Sequence, residues 1–465
     1  MKKPFVPLLL AFFVGSASAQ SAQLTEPAEP AESTEPSEDY RLPALEILGF
    51  DILVNRINRC CGTGRDDYAV TLDSIRHNLH SSWGVDDDPF KTNQLGHPYQ
   101  GSMYFGFARS AGLGFWKSAG YALAGSTAWE IAGERTPPSR NDEIATGIGG
   151  TFLGEALFRM ANLLLEKGGG LSPAWRESVA GVIAPSLWFN RHVMGLQSSG
   201  IFSSNNAAYN SQFQLGFMGT TQNAQGTSTQ ATHNEGQLDY SLEYGMPGQD
   251  DYVYRKPFDY FAFRATLSSA NGFESVLTRG LLVGHEYAVG KNYRGVWGLY
   301  GSYDYISPQT FRISSTALNL GTTGQWHASD NVALQGTLMG GLGYAAVSTV
   351  RGVQTDLDYH YGVAPQILAS THFIYGDKSA LNITLRDYFV SKVGGSSRGG
   401  HDNIARADIS WTWRITGPHA ITLKYLWNQR NAEYPDLGDR SQTRGTIGVF
   451  YTLLGQDHFG RVDWK

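Results

Sequence analysis

A serine and two glutamates lie at helical spacing in the first half of the chain. Ser126, Glu130 and Glu134 stand at i, i+4 and i+8, so a helix over 104–132 places them on one stripe among Ala and Gly. With His97 as the base, Ser126 or Ser102 as the nucleophile and a carboxylate such as Glu130 as the orienting group, these residue types could perform acyl hydrolysis. No G-x-S-x-G motif supports that chemistry. His97 precedes Pro98, where we expect the chain to be extended or turning, and a structural hydrogen bond to the neighbouring backbone is its simpler role.

Metal-ligand patterns are weak. His97 with Asp142 would supply two ligands, and no H-E-x-x-H motif or compact Asp/Glu/His cluster adds the others. Cys60 and Cys61 are adjacent and have no other cysteine to bond, so we expect neither a disulfide framework nor a zinc site. Phosphate-binding and dinucleotide-binding glycine motifs do not occur. We therefore predict no metal and no cofactor.

A second predicted helix, over 140–167, contains an ion-pair spacing within an apolar run. Glu155 and Arg159 are separated by four residues in the favourable order. The proline-containing segment 136–138 separates this helix from the first. A third, short helix is predicted from 172–173, because proline is favoured in the first helical turn.

Alternation of apolar and polar residues dominates the chain from about 210 to 455. Segments such as 404–415 (IARADISWTWRI) and 237–244 (QLDYSLEY) have one apolar, aromatic-rich face and one polar face. This pattern is typical of a transmembrane β-barrel, whereas a soluble β-sandwich would need a core that buries all of these aromatic residues. About twelve strands are predicted, near 211–219, 235–245, 259–269, 274–288, 294–306, 311–327, 332–347, 356–376, 380–392, 402–416, 419–433 and 442–455. Tight and long connections alternate between them, and the apolar–polar alternation is ambiguous in the strands near 274–288 and 311–327.

Positive charges accumulate on the polar face of the last four predicted strands. The residues concerned are Arg386, Arg406, Arg414, Lys424, Arg430 and Arg444, with Asp408 as the one acid. Because an arc of unpaired cations is electrostatically costly, we expect something anionic to face it. Glu130, Glu134 and Glu155 would do so if the helices plug the barrel. An anionic solute or lipid headgroup is the second interpretation, and water at exposed rims is the third.

The N-terminus and the composition agree with export to the cell envelope. Two lysines, an apolar run and Ala-Ser-Ala predict a Sec signal peptide over 1–19, and a Pro/Glu/Ser/Thr tract predicts a disordered leader over 20–40. We assign a mainly helical domain to 41–195 and a barrel to 205–465. The net charge of the 465 residues is −6, which does not suggest a nucleic-acid partner. No apolar stretch of about 20 residues follows the signal peptide, which argues against a helical membrane protein.

An ordered set of short motifs between 93 and 159 resembles a known family. The motifs are NQLGHPYQGS at 93–102, ARS at 108–110, FWKS at 115–118, GS at 125–126, WE at 129–130, GE at 133–134, PSRND at 138–142, GG at 149–150, GE at 154–155 and Arg159. Their order is similar to that of the bacterial domain-of-unknown-function family 3943. The resemblance covers roughly 70–195 closely. It implies a helical region followed by an outer-membrane barrel, and it brings no established activity or catalytic residues.

We therefore predict a mainly β protein: a transmembrane antiparallel β-barrel of about 12 strands, preceded by an α-helical periplasmic or intraluminal domain, in a Gram-negative outer membrane. The first functional hypothesis is a plugged or gated barrel that handles a small anionic or lipid-like ligand. The second is an envelope-lipid hydrolase with its active site in the helical domain. The third is an architectural envelope protein that docks a periplasmic protein partner. Outer-membrane lipid is an expected partner in each case.

Overall fold

The computed structural model describes residues 39–464 except 63, 87, 169, 197–201, 203–206, 226–233, 349–358, 393–399 and 436–438. The predicted signal peptide and nearly all of the predicted leader lie outside the described residues. The helices are α1 (Arg41–Cys61), α2 (Leu72–His80), α3 (His97–Ser110), α4 (Phe115–Ala132), α5 (Arg140–Asp142), α6 (Gly150–Lys167), α7 (Pro173–Ile183) and α8 (Pro185–His192). Two π-helical segments, Thr92–Gly96 and Glu143–Gly149, lead into α3 and α6.

Two helix predictions need correction. The helix predicted over 104–132 is broken into α3 and α4, because the chain turns at Gly112, whose φ of 93° belongs to the left-handed region. His97 does not lie in an extended or turning segment. It is the first residue of α3, followed by a proline in the first helical turn, where the missing N–H costs nothing. The predicted start of a helix at 172–173 agrees with α7.

The strands form one closed antiparallel barrel of twelve, in sequence order with β1 paired to β12. They are β1 (Tyr209–Gln225), β2 (Asn234–Tyr244), β3 (Phe261–Ser268), β4 (Gly272–Val289), β5 (Tyr293–Ile306), β6 (Ile313–Ser329), β7 (Val332–Ser348), β8 (Tyr359–Tyr375), β9 (Ser379–Lys392), β10 (His401–Thr416), β11 (His419–Glu433) and β12 (Arg440–Leu454). The predicted fold class is confirmed. We call the end of the barrel that holds the connections 290–292, 330–331, 376–378 and 417–418 the tight-turn end, and the opposite end the long-loop end. The first residue of β1 and the last residue of β12 both lie at the tight-turn end.

Residues of each strand alternate between the lumen and the outward face of the barrel. On β10 the outward Trp411 and Trp413 are about half exposed, whereas the inward Arg406, Ser410 and Thr412 are buried. An exposed outward band of Leu, Ile, Val, Trp and Phe runs along β6 to β12 and β1. Such a band is suited to contact with lipid.

The helices pack against the outward face of the barrel wall, not inside the lumen. Phe152 of α6 lies over Gly301 of β5, where an added Cβ would meet its ring at 2.4 Å. Further along β5, Tyr303 donates a hydrogen bond to the backbone oxygen of Gln94. One apolar core contains residues of α1, α3, α4 and α6 to α8 together with outward residues of β2 to β5, β7 and β8. The expectation of an intraluminal helical plug is therefore wrong: aromatic outward positions such as Tyr303 bury against the helices.

A buried ionic group anchors α6 to both α3 and the wall. Glu155 accepts hydrogen bonds from Arg159 at 2.7 Å and from Arg109 at 2.8 Å. The Arg159 guanidinium also lies 3.3 Å from Asp259, in the connection between β2 and β3, and donates to the backbone oxygen of Pro257 at 2.9 Å. Burial alone would raise the pKa of Glu155, but the two arginines hold it below its usual range. The predicted Glu155–Arg159 pair thus forms, and it holds the helices to the barrel.

Two further features complete the fold. Cys60 and Cys61, at the end of α1, are joined to each other as a vicinal disulfide, contrary to our expectation that adjacent cysteines stay unbonded. Among the helices that the structure describes, none is both long and apolar enough to cross a membrane.

Replacing Arg159 with Met is expected to release the helices from the wall, because Glu155 and Asp259 would keep buried charges that have lost a partner. Breaking such a group typically costs about 3–5 kcal/mol. Limited proteolysis of the reconstituted protein should then cleave within α3 to α6, while the barrel retains its heat-modifiable migration on gels. Arg76→Met, on the exposed surface of α2, is the control. Equal protease resistance of the two variants would contradict the anchoring role.

Candidate functional site

Lumen ion pairs

The inward cations of the last four strands face acids of other strands. Lys424 lies 3.4 Å from Asp239 of β2, and Arg430 lies 2.6 Å from Asp402 of β10. Arg386 lies 3.2 Å from Asp304 of β5. Arg444 lies 3.4 Å from Glu235 of β2, and Arg414 lies 3.2 Å from Asp457 beyond β12. Most of the anionic charge that the arginine arc requires is therefore built into the barrel.

The predicted pairing between helix acids and lumen cations does not form. Glu130, Glu134 and Glu155 belong to the helical domain on the outward face, and the sheet itself separates them from the lumen. Across the lumen, Arg264 of β3 bridges Asp239 at 2.9 Å and Asp408 at 2.6 Å. The sequence pattern of the last four strands indicated Asp408 alone. Asp239, Asp304 and Glu235 come from strands far away in the chain, whereas Asp402 of β10 and Asp457 after β12 lie close by and were missed.

Arg406 differs in its partners from the other inward cations of the last four strands. Its guanidinium donates to the side-chain oxygen of Asn428 at 3.1 Å, and no carboxylate among the described residues forms a salt bridge with it. The register places Arg406 directly opposite Arg386, so two guanidinium groups share one part of the wall. Like charges opposite one another in a sheet repel. The pair therefore concentrates positive charge in one part of the lumen wall.

Both arginines line a cavity of about 170 Å³ inside the lumen. By the volume that a water occupies in the liquid, this is room for about five waters or one small solute. Charged groups of both signs line it, namely Arg264, Arg279, Arg386, Arg406, Asp239, Glu243, Asp304 and Asp408. His372 also faces the cavity, and its Nε2 has no hydrogen-bond partner in the described parts of the chain. The cavity is polar and can hold a small charged group.

Closure at the tight-turn end

The C-terminal segment after β12 folds back into the barrel mouth. His458 and Phe459 adopt left-handed backbone conformations, with φ of 58° and 52°, which reverse the chain direction. The Phe459 ring is fully buried, in one cluster with inward alanines and with Ile374 of β8, and the Arg414 guanidinium lies 5.2 Å from its centre. Gln335 of β7 donates to the backbone oxygen of Gly460 at 2.7 Å. This segment, and not the helices, occupies the tight-turn end of the lumen.

The carboxyl cluster of the helical domain

A second group of chemistry-bearing residues is buried between α4, α5 and the π-helical segment before α3. Glu130 accepts a hydrogen bond from the backbone N–H of Ser139 at 2.7 Å. Burial and the neighbouring Asp142 raise the pKa of Glu130 to about 8, and burial followed by Glu130 itself raises the pKa of Glu134. Burial also raises the pKa of Asp142. These groups are held partly as neutral acids, which fits a structural role better than a nucleophilic one.

The three catalytic candidates are not assembled into a catalytic group. His97 lies 4.0 Å from Asp142, and in the described structure no hydrogen bond joins it to Ser126 or to Glu130. Ser126 lies beside Glu143 instead. Within the described ranges, no three His, Cys, Asp or Glu residues are placed to hold a metal ion.

Sequence reasoning missed the residues that connect this cluster to the barrel. Asn93 donates to the Tyr359 hydroxyl at 2.8 Å, and Asn141 donates to the Tyr361 hydroxyl at 2.8 Å. Gln94 donates to the same Tyr361 hydroxyl at 2.9 Å. Their amides belong to the motifs quoted above, but the tyrosines lie more than 200 residues away. Outward tyrosines near the start of β8 were the available signal, because tyrosine favours membrane interfaces with its hydroxyl in contact with a polar partner.

Comparison with known proteins

A family model covers part of the helical region. Residues 82–186 match the model described as Domain of unknown function (DUF3943). The predicted resemblance is confirmed. A twelve-strand barrel follows this DUF3943 domain in the chain. No curated protein matches the sequence.

Solved outer-membrane barrels resemble the chain over about half of its length. The NanC porin shares 8% identity and a TM-score of 0.25, over 51% of this chain and 98% of that chain. The outer membrane channel DcaP of Acinetobacter baumannii shares 8% identity and a TM-score of 0.25, over 54% and 99%. The Pseudomonas putida toluene transporter TodX shares 9% identity and a TM-score of 0.22, over 52% and 89%. At these scores we draw no conclusion about a ligand from the comparisons.

The stability of the helical domain is expected to fall as pH rises. A carboxyl whose pKa is raised from 4.5 to about 8 on folding, as for Glu130, keeps its proton in the folded state while the unfolded state releases it. The contribution of Glu130 to stability is therefore highest below about pH 4.5, decreases between pH 4.5 and 8, and is lost above that range. Protease protection of the helices should follow this profile.

Glu130→Gln should flatten the profile and improve protection at pH 8, since glutamine can still accept the hydrogen bond from Ser139. Glu177→Gln, on the partly exposed surface of α7, is the matched control. If Glu130→Gln leaves the pH dependence unchanged, Glu130 is not the group that titrates.

Phe459→Ala is expected to loosen the C-terminal segment, because truncating a buried Phe typically costs about 3–5 kcal/mol. Planar-bilayer recordings should then show more frequent conductance events than wild type. Phe389→Ala removes an outward ring of the same size from β9 and serves as the control. Identical recordings for the two variants would mean that Phe459 does not close the lumen.

Proposed function

We propose that the protein is a closed β-barrel of the bacterial outer membrane that admits a small anionic solute to its lumen cavity. The observation that carries the proposal is the Arg386–Arg406 pair: Arg386 has an acid partner, whereas among the described residues Arg406 bonds an amide and forms no salt bridge. A desolvated guanidinium is best satisfied by a planar, bidentate anion such as a carboxylate or by a phosphate. The cavity beside the Arg386–Arg406 pair has room for a small carboxylate or for phosphate.

The membrane location is part of this proposal. It is supported by the outward band of exposed Leu, Ile, Val and Trp, and by the signal peptide predicted over 1–19. Short turns face the periplasm in bacterial barrels, so the tight-turn end with the C-terminal segment is assigned to the periplasmic side. In this orientation Phe459 closes the inner mouth of the lumen.

The two other hypotheses have less support. The hydrolase requires a nucleophile in contact with its base, and Ser126 lies beside Glu143 rather than His97. The architectural role, with the helices docking a protein partner, is compatible with the same fold, and none of the contacts described above requires it.

Arg406→Gln is expected to weaken anion binding in the lumen by at least about tenfold, because a hydrogen bond to a charged group contributes about 1.5–3 kcal/mol. Titration of the detergent-solubilised protein with inorganic phosphate, followed by calorimetry, measures this effect. Arg76→Gln, on α2, is the control and should bind like wild type. The proposal is abandoned if wild type shows no phosphate or small-carboxylate binding, or if both variants bind equally.

A further inference from the structure

An exposed apolar surface extends over α1. Five residues that are between 53% and 66% exposed form this surface: Leu45, Leu48, Ile52, Leu53 and Ile57. The opposite side of α1 faces the helical core through Ile47 and Asp51. A helix that is packed on one side and apolar on the other needs a second apolar environment.

The neighbouring helix α4 widens this surface. The two helices run side by side in the same direction: Tyr121 donates to the backbone oxygen of Tyr40, and Asn55 donates to that of Gly133 at 2.7 Å. Trp116 is 60% exposed on α4, and Leu123 is exposed further along it. Together α1 and α4 present one apolar face, which we call the α1–α4 face.

The α1–α4 face continues into the lipid-facing band of the barrel. Leu123 packs against Gly147 of the π-helical segment before α6, and the next residue, Ile148, is exposed. Gly149 in turn lies against Thr316 of β6. The next outward residues of β6, Leu318 and Leu320, belong to the exposed band. Exposed apolar residues of α4 and Ile148 therefore connect the α1–α4 face with the exposed band of the barrel.

The position of the helices along the barrel agrees with this continuity. Tyr303, Tyr359 and Tyr361 lie on the outward face near the long-loop end, where interfacial tyrosines are expected to meet lipid headgroups and water. Here their hydroxyls bond to the helical domain instead, as with Asn93 and Asn141. The helical domain therefore occupies space beside the barrel at the depth of the membrane interface.

Charged residues mark the limits of the α1–α4 face. Arg41 lies at the start of α1, and Arg56 and Arg59 lie in its last two turns, all exposed. An apolar centre between basic ends is the pattern of a helix that lies in a membrane interface, because arginine can reach phosphate groups while the apolar side chains enter the acyl region.

We propose that the α1–α4 face is embedded in the same membrane as the barrel, with acyl chains against Leu48 and Ile52 and anionic lipid headgroups at the arginines. A second copy of the chain or another envelope protein could also cover an apolar face. The continuity with the lipid-facing band and the basic residues at both ends of α1 favour lipid. This surface is independent of the lumen anion site, so either proposal can be disproved without affecting the other.

The test is a nitroxide label at Leu48→Cys in the full chain, with Cys60→Ser and Cys61→Ser, reconstituted in phosphatidylglycerol-containing vesicles. Collision rates with oxygen, which partitions into lipid, and with a water-soluble nickel complex are measured by electron paramagnetic resonance. Leu385→Cys, on the outward face of β9, is the lipid reference. Asp73→Cys, on the exposed side of α2, is the water reference.

The label at position 48 is expected to match the Leu385 reference, with high oxygen and low nickel accessibility. Agreement with the Asp73 reference would overturn the proposal, because the face would then be in water. Low accessibility to both reagents would also overturn it, and would indicate that a second copy or another protein covers the face. A second label at Ile52→Cys must give the same result, which separates the surface from local misfolding at position 48.

Discussion

Closure of the twelve-strand sheet is the constraint on which the rest of this structure depends. In a closed barrel the backbone N–H and C=O groups of every strand pair with the neighbouring strands, so no edge remains for a further strand or a docking segment. Each side chain of a strand faces either the lumen or the outer surface. Anything that packs on the barrel must therefore pack on side chains. The helical domain does this on the outward face, from the β2–β3 connection to the long-loop end, and the C-terminal segment does it from inside at the tight-turn end.

The lumen follows from the same geometry. Antiparallel pairing aligns Arg386 with Arg406 on adjacent strands, and the curvature of the barrel brings Asp239 and Asp304 of early strands against the cations of late ones. Burying these charges together is tolerable because most of the guanidinium and ammonium groups find a carboxylate at close range. In the described parts of the chain Arg406 and Arg279 form no salt bridge, and both line the small polar cavity.

The motif-rich helical region acts chiefly as a docking module. Glu155 and Arg159 connect α3, α6 and the β2–β3 connection, and Asn93 and Asn141 bind barrel tyrosines. Glycines within α6 and its preceding π-helical segment permit close approach to the wall, as Gly149 does at Thr316. Buried polar groups of this kind are costly unless paired, so they specify one arrangement of helices against strands. Most of the residues that suggested catalysis in the sequence instead make packing contacts within this region.

The amino-acid sequence by itself determined the barrel, its twelve strands, the inward set of cations and the Glu155–Arg159 pair, because each depends on periodicity over a few neighbouring residues. It also indicated the DUF3943 domain. The ambiguous alternation of β4 and β6 has a physical cause: outward positions such as Thr278 and Thr316 face helices instead of lipid, so they need not be apolar. Only the tertiary structure decided that the helices lie outside the lumen and that the C-terminal segment closes it. Those outcomes rest on contacts between residues hundreds of positions apart, and no local pattern encodes which surfaces meet.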